Sequence, residues 1–236
     1  MIDLKLRYDK LWSDSLLHVQ QNNFQTDEHL HDPKDNRFGL TLLVRPDSAV
    51  SEKIQRFLTE LKVIDPAPYY YPTSDLHITV LSIISCYAGF EVNKTEAQSY
   101  IDVINAALSK YPSFPITFSG VCISPSTVLL QGCYEAGTLD SLRDAIRNAF
   151  RQTDLKQSID KRYRLSTAHS TVVRFSAPVA RKKEFLDILQ QYRAHNFGTI
   201  NVKAVEFVHN DWYQRAEKTS LLAKFPLVNP QNVLRI

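Results

Sequence analysis

Glycine and cysteine are scarce in this chain of 236 residues, which holds six glycines and three cysteines. The glycines form no Gly-x-Gly-x-x-Gly, phosphate-loop or Gly-x-Ser-x-Gly pattern, which argues against dinucleotide-binding, P-loop and serine-hydrolase functions. Cys86, Cys122 and Cys133 lack Cys-x-x-Cys spacing and lie in apolar, strand-like runs. We therefore expect buried thiols in a reducing compartment rather than a disulfide framework.

The chain also lacks a long apolar run and a strong net charge. No stretch approaches the roughly 18–20 apolar residues of a membrane span. Charged residues interrupt the first ten positions, which therefore hold no signal-peptide core. We expect a cytoplasmic protein with no membrane partner. A net charge of +3 tolerates a phosphate-bearing ligand but is too small for a protein that coats nucleic acid by charge alone.

The first 36 residues are predicted to stand apart from the rest. Apolar residues at helical spacing predict an amphipathic helix over about residues 3–21 that packs on the main body. The polar run 25–36, which Pro33 interrupts, predicts a linker. We therefore expect an N-terminal helical extension and linker at 1–36 and a two-lobed domain at 37–236.

Strands and helices alternate along the larger part of the chain. Hydrophobic periodicity predicts helices near 48–62, 138–152 and 181–195, and strands near 37–44, 114–123, 126–134, 199–209 and 219–225. Asp47 or Ser48 is the expected cap of the first of these helices, and Thr95 and Gln98 have capping-box spacing for another. The order strand, helix, histidine-bearing strand occurs twice. This repetition predicts a diverged duplication with paired lobes around a shared cleft.

Two short stretches share the form apolar, His, any residue, Thr, apolar: they are LHITV at 76–80 and AHSTV at 168–172. Side chains alternate faces along a strand, so His77 and Thr79 share one face, as do His169 and Thr171. An imidazole beside a hydroxyl can bind and protonate an oxyanion, and two such halves supply an acid and a base. A lone strand histidine is more often a hydrogen-bonded packing residue, but the matched pair favours catalysis.

These motifs resemble those of the 2H phosphoesterases, a family that includes RNA 2′,3′-cyclic phosphodiesterases, also called 2′-5′ RNA ligases. The resemblance covers about residues 37–228, while 1–36 match nothing in the family pattern. Leu81-Ser82-Ile83-Ile84 after the first motif departs from the Phe-Leu-Gly ending of the ligase-named branch. The resemblance implies an α+β, bilobal, duplicated fold in which two antiparallel-rich sheets face a central cleft with helices outside.

The resemblance also implies metal-independent phosphodiester hydrolysis. We expect a monomer without a cofactor. One neutral histidine would take a proton from water, and the other, protonated, would give one to the leaving 2′ or 3′ oxygen. Thr79 and Thr171 would hold the non-bridging oxygens. The expected partner is a nucleotide or RNA end with a 2′,3′-cyclic phosphate. ADP-ribose 1″,2″-cyclic phosphate, 2′-5′-linked oligonucleotides and RNA ligation remain open, as does which histidine is the acid.

Two segments next to the motifs are candidates for substrate binding. Tyr69 and Tyr71 precede the first motif and could stack a base, although packing within the lobe explains them equally well. Arg162, Tyr163 and Arg164 precede the second motif and could hold flanking phosphates, although a solvated loop is an equal alternative.

Arg174 follows the second motif at the position of the arginine in the His-x-Thr-x-x-Arg pattern of many family members. Its parity is opposite to that of His169. On a regular strand its side chain would therefore point away from the cleft.

Two other functions stay open at the level of sequence. Residues 27–32 contain two histidines and three carboxylates, and together with His209 and Asp211 they could ligate a catalytic metal. Their place in a predicted linker favours solvated chain instead. The second alternative is an RNA- or nucleotide-binding module that does no chemistry. Chelation tests the first alternative, and measured turnover tests the second.

Overall fold

In the computed structural model, residues 4–229 are described; residue 3 of the predicted first helix and residues 230–236 of the predicted domain lie outside them. The helices are α1 (Leu4–Gln20), α2 (Ser48–Ile64), α3 (Lys94–Leu108), α4 (Leu139–Arg151) and α5 (Lys182–Gln191). The strands are β1 (Arg37–Val44), β2 (Tyr69–Tyr70), β3 (Ile78–Ala88), β4 (Phe114–Ile123), β5 (Thr127–Cys133), β6 (Ser170–Arg174), β7 (Asn196–Val202), β8 (Ala204–Asp211) and β9 (Ser220–Pro226). No helix in this part of the chain is long and apolar enough to cross a membrane.

The strands form two antiparallel sheets. Sheet A has the order β3-β1-β8-β9, and sheet B has the order β2-β6-β5-β4-β7. The first His-Thr motif leads into β3, at an edge of sheet A, and the second leads into β6 of sheet B. The α+β class with two antiparallel sheets is thereby confirmed.

Two helices cross between the sheets. Helix α2 joins β1 to β3 of sheet A but packs against β7 of sheet B. Helix α4 joins β5 to β6 of sheet B but packs on α3 and contacts β3 of sheet A. The apolar stripes of these helices are buried, and the buried side chains of both lobes form one continuous core. Each sheet is therefore covered by a helix that connects two strands of the other sheet.

The helix caps agree with the sequence in one case and differ in another. Asp47 caps α2, since its carboxylate accepts a hydrogen bond from a first-turn N–H at 2.9 Å. Helix α3 begins with a capping box formed by Asn93 and Glu96 rather than by Thr95 and Gln98. Asparagine is the stronger N-cap residue, and its choice starts the helix two residues earlier than predicted.

The single strand predicted at 199–209 is two strands. Strand β7 ends at Val202 and pairs with β4 of sheet B, whereas β8 begins at Ala204 and pairs with β1 of sheet A. The buried apolar residues are Ile200 and Val202 before Lys203 and Val205 and Phe207 after it, so the alternation shifts by one position there. Only the pairing partners show that this shift is a change of sheet.

The N-terminal extension packs on the body, as predicted for its helix. Tyr8 and Trp12 of α1 are buried, and α1 contacts β4. The segment that follows is not a solvated linker, because Leu30 is 1% exposed and the Asp27 N–H donates to the Phe175 carbonyl at 3.1 Å. The expectation of a solvated chain at 25–36 is wrong at these positions.

Candidate active site

A cavity of about 250 Å³ is lined by residues of both sheets. His77 and Thr79 line it from the first motif, and His169 and Thr171 line it from the second. Both imidazoles thus border the same hollow. Within residues 4–229 neither threonine hydroxyl has a hydrogen-bond partner, so both are available to the oxygen atoms of a ligand.

His77 is held through its Nδ1 atom, which lies 2.7 Å from the Asp75 carbonyl oxygen. A carbonyl only accepts, so Nδ1 carries the hydrogen and the lone pair of the neutral ring is on Nε2. Asp75 is itself fixed, because its buried carboxylate accepts hydrogen bonds from the Ser74 hydroxyl at 2.7 Å and the Ala216 N–H at 3.0 Å. The first ring is therefore oriented by a rigid support.

His169 has a matching support on the other side of the cavity. Its Nδ1 lies 2.8 Å from the hydroxyl of Thr167, which is again the residue two positions earlier. Behind Thr167 lies Tyr8 of α1, whose hydroxyl contacts both Thr167 and the Gly132 carbonyl. Burial raises the pKa of Tyr8, so its hydroxyl stays protonated and donates to that carbonyl. The N-terminal helix thus reaches the support of the second histidine.

Gly132 of β5 allows the second motif to approach its neighbour. A Cβ atom at this position would overlap the carbonyl oxygen of Ala168, the residue before His169. Any side chain here would push the histidine-bearing segment away from sheet B. The glycine is therefore required by close backbone approach.

A buried arginine of α4, Arg143, connects the two motifs. Its Nε donates to the Val80 carbonyl at 2.8 Å, and its Nη2 donates to the carbonyls of Thr79 at 3.1 Å and Thr167 at 2.7 Å. The residue is 0% exposed. The nearby carboxylate of Asp140 is 3.9 Å from Nη1, beyond hydrogen-bond distance. Backbone dipoles of both histidine-bearing segments therefore solvate this cation.

Both imidazoles are neutral in the free protein at neutral pH. Burial lowers the pKa of each to about 4. The Arg143 cation lowers the pKa of His169 further, whereas the Asp75 carbonyl and carboxylate partly oppose the effect of burial on His77. The sequence-based expectation of ordinary pKa values, with the rings in opposite states near pH 7, does not hold for the free protein. A bound anion would raise both pKa values.

Arg174 lines the cavity, contrary to the prediction from parity. In the pairing of β6 with β5, Val173 lies opposite Val128 but Thr171 lies opposite Leu129, so β6 contains a bulge. The extra residue reverses the parity of everything after it. Arg174 consequently lies on the same side as Thr171.

The guanidinium of Arg174 is held among three side chains. It contacts the Tyr71 hydroxyl at 3.4 Å and the Asp27 carboxylate at 3.5 Å. Its centre lies 5.4 Å from the centre of the Tyr213 ring. This arrangement places a positioned cation beside the histidines.

Three of the five flanking residues predicted to bind substrate line the cavity. Tyr71 does so through a ring that is only 2% exposed, so it packs the lobe rather than offering a face for stacking. Arg162 and Tyr163 are exposed residues of the loop at the cavity rim. The Arg162 guanidinium lies 4.5 Å from the ring centre of Trp212, which also lines the cavity.

The other two flanking residues do not line the cavity. The Tyr69 hydroxyl donates to the Asp75 carboxylate at 3.3 Å. Arg164 is paired with Asp144 at 2.9 Å. A stacking role for Tyr69 and a phosphate contact for Arg164 therefore have no support in this geometry.

The cluster at 27–32 makes structural contacts. Asp27 accepts a hydrogen bond from the Tyr213 hydroxyl at 2.9 Å and pairs with Arg174. The His209 ring stacks on Phe38 with centroids 4.9 Å apart. Over the described range, no group of three or more His, Cys, Asp or Glu side chains is arranged to hold a metal ion. The alternative of a metal centre built from these residues thus lacks a ligand set.

Several solved structures share this fold. One described as a phosphoesterase is 14% identical over 82% of this chain and 99% of its own, with a TM-score of 0.58. Escherichia coli LigT in complex with 3′-AMP is 15% identical at the same coverage, with a TM-score of 0.59. A Thermus thermophilus protein is 17% identical over 81% of this chain and 99% of its own, with a TM-score of 0.56. The fold is therefore that of LigT-like phosphoesterases.

The sequence itself gives the family. The sequence model of the 2′-5′ RNA ligase superfamily matches residues 46–212, which is more than half of the chain, so the chain belongs to this superfamily. A search of curated proteins finds no match. The matched region contains both His-Thr motifs but begins after α1. The support that Tyr8 gives to the second motif thus comes from outside it.

Sequence reasoning missed Arg143 and Thr167, although each left a signal. Arg143 stands next to Leu142 and three residues before Ile146, on the apolar stripe of the predicted helix, where a charge needs an explanation. Thr167 precedes its histidine by two positions, as Asp75 does. For Tyr8 no signal existed, because its partner lies more than 100 residues away.

Replacing Arg143 by Met keeps most of the side-chain volume but leaves three carbonyl oxygens without their donor. We expect the free energy of unfolding, measured by urea denaturation, to fall by about 3–5 kcal/mol. Arg151→Met, at the exposed end of the same helix, is the matched control and should change stability by less than about 0.5 kcal/mol. Similar small losses in both variants would show that Arg143 does not join the motifs.

A histidine with a lowered pKa in the folded state binds its proton more tightly when unfolded. The free energy of unfolding that each neutral histidine contributes is therefore fully present above pH 6.5 and is lost as the pH falls toward about 4. We expect the imidazole NMR signals of His77 and His169 to titrate near pH 4. A His77→Gln, His169→Gln double variant should lose less stability than wild type between pH 6.5 and 4. Midpoints near 6.5 would contradict the burial effect.

Proposed function

We propose that this protein is a metal-independent phosphodiesterase that hydrolyses a 2′,3′-cyclic phosphate on an RNA end or a small nucleotide. The observation that carries the proposal is the lining of one cavity by two imidazoles and two unpaired threonine hydroxyls. Each ring is supported through Nδ1 by the residue two positions before it. These four groups suffice for acid, base and oxyanion-binding roles.

The reaction places the cyclic phosphate between the two rings. The neutral imidazole takes a proton from water as the water oxygen bonds to phosphorus, and the imidazolium gives its proton to the ribose oxygen that leaves. The cyclic diester becomes a monoester with a free hydroxyl, and each ring ends in the other's initial protonation state. Thr79 and Thr171 donate hydrogen bonds to the non-bridging oxygens as negative charge develops there.

The surrounding charges favour His77 as the acid and His169 as the base. Burial dominates the pKa of both rings. Asp75 favours protonation of His77 against the opposing effect of Arg45 and Arg174, whereas the charges of Arg143 and His77 only disfavour protonation of His169. The substrate's negative charge favours the imidazolium form. The proton of the acid is therefore acquired together with the substrate.

Cationic side chains at the cavity suit an anionic substrate. Arg174 and Arg162 both line it. Asp160 lines it too, but its carboxylate is engaged by Arg147 at 2.7 Å. A phosphate therefore meets positive charge that nearby carboxylates do not fully neutralise.

RNA ligation or cleavage of a 2′-5′ linkage at the same site is the second candidate function. The match to the 2′-5′ RNA ligase superfamily favours it, because ligation is the opening of the cyclic phosphate by an RNA 5′-hydroxyl in place of water, and cleavage of the linkage is the reverse of that step. A binding module without catalysis would keep the cavity but need no paired acid and base. The structure of LigT with 3′-AMP makes a nucleotide the natural ligand to test.

Replacing either His77 or His169 by Ala should lower the rate of 2′,3′-cyclic AMP hydrolysis by roughly 10²- to 10⁴-fold. The double variant should lose little more, because the two groups act in one step. His31→Ala, an exposed histidine outside the cavity, is the control and should match wild type. Assays contain a chelator. Wild-type turnover in either single variant would refute the catalytic assignment, and loss of wild-type activity on chelation would refute metal independence.

A nitrophenyl phosphodiester separates the two roles in the same variants, because nitrophenolate leaves without being protonated. The loss in His77→Ala should shrink to within about tenfold on this substrate, while the loss in His169→Ala stays large. If the loss shrinks in His169→Ala and stays large in His77→Ala, His169 is the acid and His77 is the base.

The pH profiles of kcat/KM and kcat should differ. The profile of kcat/KM reports the free protein, in which the pKa values of both rings are about 4. It should fall as the pH rises above about 4, because the free acid loses its proton. The optimum of kcat should lie at higher pH, because the bound phosphate raises the pKa of the acid. Coincident optima near 6.5 would contradict this account.

A further inference from the structure

Two side-chain amides whose buried oxygen atoms lack a donor belong to residues that line the cavity. Asn210 of β8 is 1% exposed and Gln214 is 6% exposed, and both line the same cavity as the histidines. Among the described residues, no donor reaches Asn210 Oδ1 or Gln214 Oε1. Buried acceptors without a donor are unfavourable. A ligand that donates hydrogen bonds at this point would satisfy both.

The orientation of the Asn210 amide follows from its nitrogen. Nδ2 donates to the Asp211 carbonyl at 2.7 Å and contacts Cys86 Sγ at 3.7 Å, which leaves the oxygen as the unengaged end. Gly39 lies beside Asn210 in sheet A, and a Cβ atom there would overlap the Ile84 carbonyl oxygen, so the glycine lets β1 approach β3 closely.

Strand register separates this amide from the histidine motifs. Thr79 pairs with Leu43 and Asn210 pairs with Gly39. The two levels are therefore four residue steps apart along β1, about 14 Å at roughly 3.4 Å per residue. A phosphate at the histidines does not span this distance, whereas a nucleotide extends its base away from its phosphate.

We propose that Asn210 and Gln214 form a base-recognition subsite that accepts hydrogen bonds from the exocyclic amino group of a nucleobase such as cytosine or adenine. The inference rests on the proposed function, which puts the phosphate at the histidines. Trp212, which lies between the two amides in sequence, also lines the cavity, and the guanidinium groups of Arg162 and Arg37 lie 4.5 and 5.0 Å from its ring centre. A base with a carbonyl oxygen in place of the amino group presents an acceptor to these two oxygens at that ring position and is disfavoured.

The test measures binding without turnover. Cytidine and uridine 3′-monophosphates contain no cyclic phosphate, and they carry an amino group and a carbonyl, respectively, at the same ring position. By isothermal titration calorimetry, the full-length wild type should bind the cytidine nucleotide about 10- to 100-fold more tightly. Adenosine and inosine 3′-monophosphates likewise carry an amino group and a carbonyl, respectively, at the same ring position. The protein should bind the adenosine nucleotide more tightly.

Gln214→Met removes the amide at similar length and should lower the preference to within about threefold. Gln214→Asn is a second variant. Asparagine tolerates the left-handed backbone at φ 62°, and its shorter side chain moves the amide oxygen back toward the backbone. Gln131→Met is the matched control, because Gln131 is 7% exposed and bonds to Val121 outside the cavity; it should keep the preference.

Equal affinities in wild type, absence of binding by either nucleotide, or an unchanged preference in a folded Gln214→Met protein would each overturn the subsite. A preference that depends on Gln214 would support it. If that preference is found while cyclic nucleotides are not hydrolysed, the subsite stands and the proposed phosphodiesterase function fails, so the two proposals can be told apart.

Discussion

The guanidinium of Arg143 is the constraint on which the geometry of the cavity depends. It is a fully buried cation whose hydrogen bonds go to backbone carbonyls of both histidine-bearing segments. A planar group with fixed donor directions holds Thr79 and Thr167 at a set separation. The same charge lowers the pKa of His169 but does not act in the same way on His77. One side chain therefore links the spacing of the two motifs to the electrostatic environment of the second histidine.

The exchange of helices between lobes makes this contact possible. Helix α4 follows a strand of sheet B yet packs beside β3 of sheet A, which carries Arg143 to the first motif. The N-terminal helix adds a further support, since Tyr8 lies behind Thr167. The chain outside the superfamily match thus contributes to the environment of the second histidine.

The cavity combines two neutral imidazoles with positively charged arginines, an arrangement that favours an anionic ligand. Burial keeps both rings neutral, while Arg174 and Arg162 supply positive charge at the lining. A phosphate therefore gains attraction from the arginines and, once bound, stabilises the protonated form of an imidazole. In the proposed mechanism, binding and charging of the acid are one event, which ties proton uptake to the presence of substrate.

The sequence by itself determined the paired His-Thr motifs, the α+β class and the Asp47 cap, because each depends on side chains within a few residues along the chain. Tertiary structure decided the rest. The bulge that turns Arg174 into the cavity depends on pairing with β5, and the break at Lys203 depends on which sheet each half joins. The lowered pKa values arise from burial by distant segments. These are properties of non-local neighbours, which local periodicity does not encode.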